Sequence, residues 1–463
     1  MSKFVRANAT VDYPLYTVDY DPQDDTRIIV GGGGGANRSG VPNKISVLET
    51  TKPDELRVVG ELDLTREEDN VASLAFAGRK GKTINIFAGI NSSPEEIDNG
   101  KNEHLRSIVI KAEGKTTTLK EEARHPLFVN ATGDVYQRLL RISGSLGAAG
   151  SGKGNKLARR GTIELPKEAQ DLDLYELYLV KIGKDQEDPQ LIYSISADEP
   201  NRPSFRFVRF VGPEFILAAA NMPARSGVAI HGFRLPKAGQ EKARLAVSAK
   251  IPRKINATAL AIANLTPPTL SPKGGIEALG DTQFVIAIAG NESSISLFSL
   301  THIASPAINL LTKLHPLSTL MAVHGADNIT GLAFSRFTAP TKKAGSEETQ
   351  YLKLVSISLQ KMIALHSIPL KQVAGTAAQS KNAPRYVTTL EAKAPRTART
   401  AISLFGFVVL IMALAGQAIV EYMGQGYPIL NPQRFFPGVA KSVHTPIVAP
   451  PVVHEHDAPD CRR

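Results

Sequence analysis

The stretch of this chain best suited to chemistry is Gly31-Gly32-Gly33-Gly34-Gly35, continued by Ala36-Asn37-Arg38-Ser39-Gly40-Val41-Pro42-Asn43-Lys44. Glycine lets successive carbonyl oxygens converge without side-chain clashes, and a ring of carbonyls replaces the hydration shell of a potassium ion. Five consecutive glycines cost backbone entropy, and an ordinary hairpin needs one or two at most. A flexible surface loop is the other reading of the same residues. Two phosphate-binding readings fail. Arg27-Ile28-Ile29-Val30 is a strand ahead of the glycines, as a dinucleotide fingerprint requires. Ser39-Gly40 and Pro42 then intervene, and the next element is the strand Ile45-Ser46-Val47-Leu48. No helix N-terminus is there to face a pyrophosphate. Gly147 to Lys153 matches G-x-x-x-x-G-K, but residue 154 is Gly where a Ser or Thr has to hold magnesium.

Other reactive residue types are scattered. His454-Glu455-His456-Asp457 has metal-ligating side chains in a proline-rich tail, without the surrounding groups that orient a metal's ligands. Glu95-Glu96 and Glu121-Glu122 read as exposed loop charges. His231, His302 and His324 fall beside strand boundaries, where propeller turns use histidine structurally. No Ser-His-Asp arrangement is legible.

The elements that must position the glycine run are strands. Between residues 1 and 370 short apolar runs are separated by Gly, Asn, Asp and Ser, with almost no helical periodicity. A loose three-strand unit recurs. One copy is Ile255 to Ala261, then Gln283 to Ala289, a turn at Gly290-Asn291, and Ser294 to Leu300. Another is Ile329 to Phe334, Tyr351 to Ser358 and Met362 to Ile368. Similar sets start near Tyr16, Val71 and Phe205. Short alternating runs joined by turn residues predict antiparallel hairpins. Their recurrence predicts an all-β, WD-type β-propeller of about seven blades. Gly-His and Trp-Asp signatures are missing, and Lys120 to Leu174 is where a blade is incomplete or strongly divergent. A pair of β-sandwiches is the rival architecture.

Ala401 to Val420 has no charged residue, and its length suits one crossing of about 30 Å of hydrocarbon. Lys381, Arg385, Lys393, Arg396 and Arg399 precede it, while Arg434 and Lys441 follow. That bias predicts a single-pass type II arrangement with the N-terminal part cytosolic. The expected organisation is a cytosolic propeller over 1–370, a basic flexible tether over 371–400, a transmembrane helix over 401–420 and a disordered lumenal tail over 421–463. No apolar leader is expected in Met1 to Tyr20. The single cysteine, Cys461, excludes a disulfide framework for the main body. Lys and Arg outnumber Asp and Glu 54 to 44. The excess forms no long block, and no zinc finger, basic zipper or RNA-binding aromatic motif is present. Nucleic acid is therefore not expected as a partner.

The run GGGGGANRSGVPNK, one blade from the N-terminus, resembles the K-loop of the Sec-twelve family, also called prolactin regulatory element-binding-like proteins. Ile86-Phe87-Ala88-Gly89-Ile90-Asn91 and the later His104-Leu105-Arg106 are similar to that family's next blade. The resemblance implies guanine-nucleotide exchange on a Sar-type small GTPase at the endoplasmic reticulum membrane, initiating COPII vesicle formation, with coat components engaged indirectly and the protein cycling to the Golgi. It further implies a potassium ion ordering the loop. Carried over, Gly31, Gly32, Gly33, Gly34, Gly35, Asn37 and Asn43 shape the ion site, and Val41, Pro42 and Asn43 form the tip that meets the GTPase. Asp460-Cys461-Arg462-Arg463 departs from the lumenal His-Asp-Glu-Leu signal of some members. The competing function is a non-catalytic membrane-anchored scaffold for coat or tethering proteins, which has no need of so costly a loop.

Overall fold

Alternating runs punctuated by turn residues fold here as antiparallel sheets laid down in chain order. The computed structural model describes residues 4–36, 40–113, 116–128, 137–143, 146–151, 156–158, 162–164, 175–179, 189–266, 280–305, 308–312, 314–339, 349–373, 385–390, 396–423 and 429. Blade 1 contains β2 (Leu15–Tyr20), β3 (Arg27–Gly32), β4 (Asn43–Glu49) and β5 (Arg57–Leu64), hydrogen-bonded in that order. Blade 2 runs from Ser73–Lys80 through Thr83–Gly89 and Leu105–Glu113 to Thr116–His125. Blade 5 (Ser204 to Ile251) repeats this meander, and blade 6 (Ala257 to Leu320) adds His315–Leu320 as a fifth strand. The five well-formed sets expected from the sequence correspond to blades 1, 2, 5, 6 and 7.

Blade 7 is closed by a strand from the other end of the chain. It joins Ile329–Phe334, Gln350–Ser358 and Met362–Val373 to β1 (Val5–Thr10), which pairs antiparallel with Met362–Val373 in the register Val5 to Ser367 and Thr10 to Met362. Lys353 strengthens that closure. Its ammonium donates to Thr50 O at 3.0 Å and Asp25 O at 3.2 Å, so the last blade caps two loops of the first.

In blades 1, 5 and 6 the second strand is buried on both faces. β3, Phe215–Asn221 and Thr282–Gly290 are almost wholly apolar or small for that reason. Cores lie between blades and pass around the ring. One joins blades 7 and 1 through Ile357, Ile363, Leu15 and Val30. Others join 1 to 2, 5 to 6, and 6 to 7. A buried Val, Leu or Ile side chain contributes about 1.5–3 kcal/mol. Among the described residues, twelve buried side chains lie between blades 1 and 2, and Ala75, Leu140 and Ala149 lie between blades 2 and 3. Successive antiparallel sheets laid down in chain order, with shared cores between neighbours and the last sheet locked to the first, make a β-propeller.

Two expectations need correction. Lys120 to Leu174 was expected to hold little strand, yet it contains a four-stranded sheet of Gln137–Ser143, Leu146–Ser151, Lys156–Ala158 and Thr162–Glu164. Its strands are short and rich in Gly, Ala and Lys, which hides their period. The narrow sheet is Glu176–Leu179 with Gln190–Ser194, which has two strands among the described residues. The compact unit also continues past residue 370, to Ala392. Arg385–Thr388 pairs with the end of Met362–Val373, and Tyr386 is buried edge-on to Phe337 at 5.0 Å between ring centroids. The second unit contains the helix Arg396–Tyr422. Leu404–Glu421, with mean hydropathy 2.1, is long and apolar enough to cross a membrane, and Leu404, Phe405 and Phe407 along it are exposed. The tail beyond residue 429 lies outside the described residues.

Candidate functional site

The glycine run is divided between a strand and a loop. Gly31 and Gly32 are the last residues of β3, both buried and paired with Ile45 and Lys44 of β4. A side chain at Gly32 would place its Cβ 1.9 Å from Pro14 O. One at Gly31 would meet Val71 and Leu74 of blade 2 within 3 Å. These two glycines are required by packing, so the run is not a single open hook. Gly33, Gly34 and Gly35 leave the sheet. Gly33 has φ +144° and Gly35 φ +74°, backbone that residues with a Cβ rarely adopt. Gly33 N donates to Pro14 O at 3.0 Å. Asn37 lies outside the described residues.

Asn43, expected at the tip, is instead fully buried at the start of β4. Its Oδ1 accepts from Gly35 N at 2.9 Å, and its Nδ2 donates to Glu68 O at 2.9 Å and Thr65 O at 3.1 Å. A short amide can mimic a peptide group, and this one staples the glycine turn to the connection between blades 1 and 2. At the tip, Gly40 is exposed with φ +75°. Val41 and Pro42 are half-buried, Val41 against the core between blades 7 and 1.

The connection that receives the staple is itself held by charge. Glu68 is buried, and its Oε1 accepts from Arg106 Nη2 at 3.0 Å and from Arg124. Arg106, with no exposed surface, also donates to Glu103 O at 2.9 Å and Glu121 at 3.2 Å. A buried ion pair stabilises only when its other hydrogen bonds are made, as those of Arg106 are. Next in the chain, Asp69 N donates to Asn91 O at 3.2 Å, and Asn91 Nδ2 donates to the Asp69 carboxylate at 3.3 Å. The Asp69 carboxylate also borders Gly35: its Oδ1 is 3.1 Å from the place a Gly35 Cβ would occupy. At the root of β4, Lys44 Nζ lies 3.0 Å from Asp12 and 3.3 Å from Asp63. Burial alone would lower the Lys44 ammonium, but those carboxylates and Glu61 outweigh it and hold its pKa above the ordinary value.

Glu68, Asp69 and Pro14 escape reading from sequence because each sits far along the chain from the residue it serves. Arg106 gave a weak sign, as a cation opening the apolar strand Leu105–Glu113. Among the described residues, no group of three or more His, Cys, Asp or Glu side chains could hold a metal. Donors at the base of the loop are oxygens: Asn43 Oδ1, the Asp69 carboxylate and Asn91 Oδ1, the last buried without a hydrogen-bond partner. Such a hard donor set suits an alkali or alkaline-earth cation and no thiophilic metal. The histidines are structural. His324 Nε2 lies 2.8 Å from Ser356 Oγ, which lies 3.2 Å from His366 Nε2. His302 is bonded to Gly280 O and Asn309.

No protein-family model matches the chain. Part of it is similar to the guanine nucleotide-exchange factor SEC12 of Candida glabrata, at 30% identity over 150 residues. The match covers 31% of this chain and 30% of that protein. Among solved structures, the extracellular domains 1–2 of Drosophila semaphorin 1a align at TM-score 0.38 and 9% identity, over 76% of this chain and 86% of that one. That likeness is too distant to bear on function.

Proposed function

We propose that this protein is a guanine-nucleotide exchange factor for a Sar-type small GTPase, working at the endoplasmic reticulum membrane to start COPII assembly. The observation that carries the reading is the stapled glycine turn, in which Asn43 ties Gly35 to the blade 1–2 connection and leaves Gly40 exposed beside Val41 and Pro42. The partial similarity to SEC12 supports it. The helix Arg396–Tyr422 supplies a membrane anchor, and the cations ahead of it favour a cytosolic propeller.

The mechanism needs differential affinity and no covalent step. A GTPase's switch segments are held by phosphate and magnesium contacts. A surface that binds their displaced form better than their nucleotide-bound form shifts the population toward the empty state. The tip, with Gly40 exposed and Val41 and Pro42 half-buried beside it, makes that contact, and a rigid base keeps it from relaxing into the bound form's shape. Asn43 Oδ1, the Asp69 carboxylate and Asn91 Oδ1, together with glycine-turn carbonyls, are the residues that would hold a potassium ion. When bound, the ion supplies charge that draws oxygens together and stiffens the turn.

The test is release of a fluorescent GDP analogue from a purified Sar-type GTPase by the full chain in nanodiscs, in potassium and then in sodium at equal ionic strength. Acceleration that is stronger in potassium is expected. Binding of the GTPase without acceleration in either salt would instead make the protein a scaffold.

A further inference from the structure

We propose that the cavity on the propeller axis binds a small, phosphate-rich anion between the guanidinium groups of Arg141 and Arg209. The cavity has a volume of about 960 Å³ and is lined from six innermost strands, including β2, Gln137–Ser143 and Ser204–Gly212. That volume is at the upper end of the range of small-molecule sites. The inference does not rest on nucleotide exchange: the glycine turn does not line the cavity, and of the oxygens named at the base of the turn only those of Asp69 belong to a lining residue.

Four arginines converge there, Arg138 and Arg141 from Gln137–Ser143 and Arg206 and Arg209 from Ser204–Gly212. They face one another as like charges. Burial and then Arg141 push Arg209 down to about 9, and burial and then Arg138 lower Arg206. Like charges facing one another across a cavity destabilise a fold unless something neutral or anionic separates them. Neither Arg141 nor Arg209 has an ion pair within 4 Å among the described residues. Among the described residues each donates to the carbonyl of its own neighbour, Leu140 O at 2.8 Å and Val208 O at 2.9 Å. Of the nearby carboxylates, Asp19 is close enough to attract Arg141, although burial raises its pKa overall. Asp19 accepts from Tyr20 N at 3.0 Å and Phe76 N at 3.3 Å, and Asp69 is bound to Asn70 and Asn91.

The chemistry of the ligand follows. A guanidinium fork matches two oxygens of one phosphate group, and several guanidiniums call for several negative charges rather than one. Thr258 and Asn291 elsewhere on the wall offer further hydrogen bonds to phosphate oxygens. A free polyphosphate and a phosphoinositide headgroup share this chemistry, and the experiment separates them.

The full chain in phosphatidylcholine nanodiscs is titrated calorimetrically with inorganic triphosphate and with inositol hexakisphosphate. A parallel arm uses nanodiscs carrying a phosphatidylinositol bisphosphate. One site per chain is expected, with a raised melting temperature and affinity that falls with salt. Arg141→Gln with Arg209→Gln should weaken binding at least tenfold. The unliganded double variant should melt close to the parent, because it loses the repulsion between the two guanidiniums together with the attraction of Arg141 to Asp19. Lys80→Gln with Lys101→Gln, which removes two exposed cations elsewhere, should change affinity less than twofold. Retention of arginine-dependent binding in one arm identifies the source of the phosphate. The proposal is overturned if no arm binds, if the lysine variant loses as much as the arginine variant, or if polyglutamate binds as tightly.

Discussion

Replacing Asn43 with Ala removes a solvent-inaccessible amide that makes three hydrogen bonds. The Gly35 N–H is then buried without an acceptor, and the carbonyls of Thr65 and Glu68 each lose a donor. A buried polar group left unsatisfied costs about 1–3 kcal/mol, so with local relaxation the variant should lose roughly 3–5 kcal/mol. That loss falls on the glycine turn. A bias of about 3 kcal/mol against the ordered turn lowers its population about 100-fold, and exchange should fall to a similar degree while the blades stay folded. Asn43→Asp sharpens the test. It keeps the acceptor for Gly35 N but sets a carboxylate oxygen against two carbonyls. Despite equal size it should be as destabilising as Ala at pH 7. Burial and the facing carbonyls raise its folded-state pKa above the usual value of about 3.9, so its deficit should narrow as pH falls and the carboxyl becomes a donor. Denaturant unfolding of both variants at pH 7 and 5, alongside GDP release, gives the measurements. An Asn43→Asp variant as stable as the parent at pH 7 would refute the hydrogen-bond reasoning. Unimpaired exchange by a destabilised Ala variant would separate the turn from function.

Two further outcomes are expected. Gly32→Ala, facing Pro14 O, should abolish soluble expression or cost several kcal/mol, whereas Gly40→Ala, with nothing within 4 Å of the new Cβ, should cost about 1 kcal/mol for its positive φ; thermal melting separates them. Burial, with Arg6 adding to it and Asp327 opposing, holds His324 down to about 4, and burial, Arg6 and His324 together hold His366 down to about 3. Because these folded-state values lie below the unfolded value near 6.5, stability present at neutral pH is lost as pH falls below about 6.5, by about 2 kcal/mol per histidine at pH 5. His366→Gln should flatten that dependence, as read from denaturation midpoints between pH 5 and 8.

The blades that could be read in the sequence are those whose strands are alternating or continuously apolar over six or more residues and end at Gly, Asn or Ser. Thr282–Gly290 with Ser294–Ser305 is such a pair. The sheet from Gln137 to Glu164 was obscured because Gly147, Ala148, Ala149 and Gly150 carry too little side chain to show a period. The role of Val5–Thr10 in the last blade was also hidden, since nothing local to an alternating strand names its partner. At the site, the composition of the glycine run pointed to the right place but to too simple a reason. Gly31 and Gly32 answer to Val71, Leu74 and Pro14, and only tertiary neighbours reveal that. Asn43 was singled out, yet its burial depends on Thr65 and Glu68 more than twenty residues later.

A ring whose final sheet borrows its outermost member from the opposite terminus imposes an order on its own assembly. Val5–Thr10 has nowhere to dock until Met362–Val373 has been made, and Lys353 has nothing to cap until Thr50 is in place to receive it. At 5–20 residues per second, synthesis of that span takes roughly 20–70 s. Throughout this time blade 1 presents an open flank, and its apolar side chains Leu15, Ile28 and Val30 await the neighbour that will cover them. An unfinished chain therefore carries blade 1 with one apolar flank uncovered until the strands of the last blade have followed it.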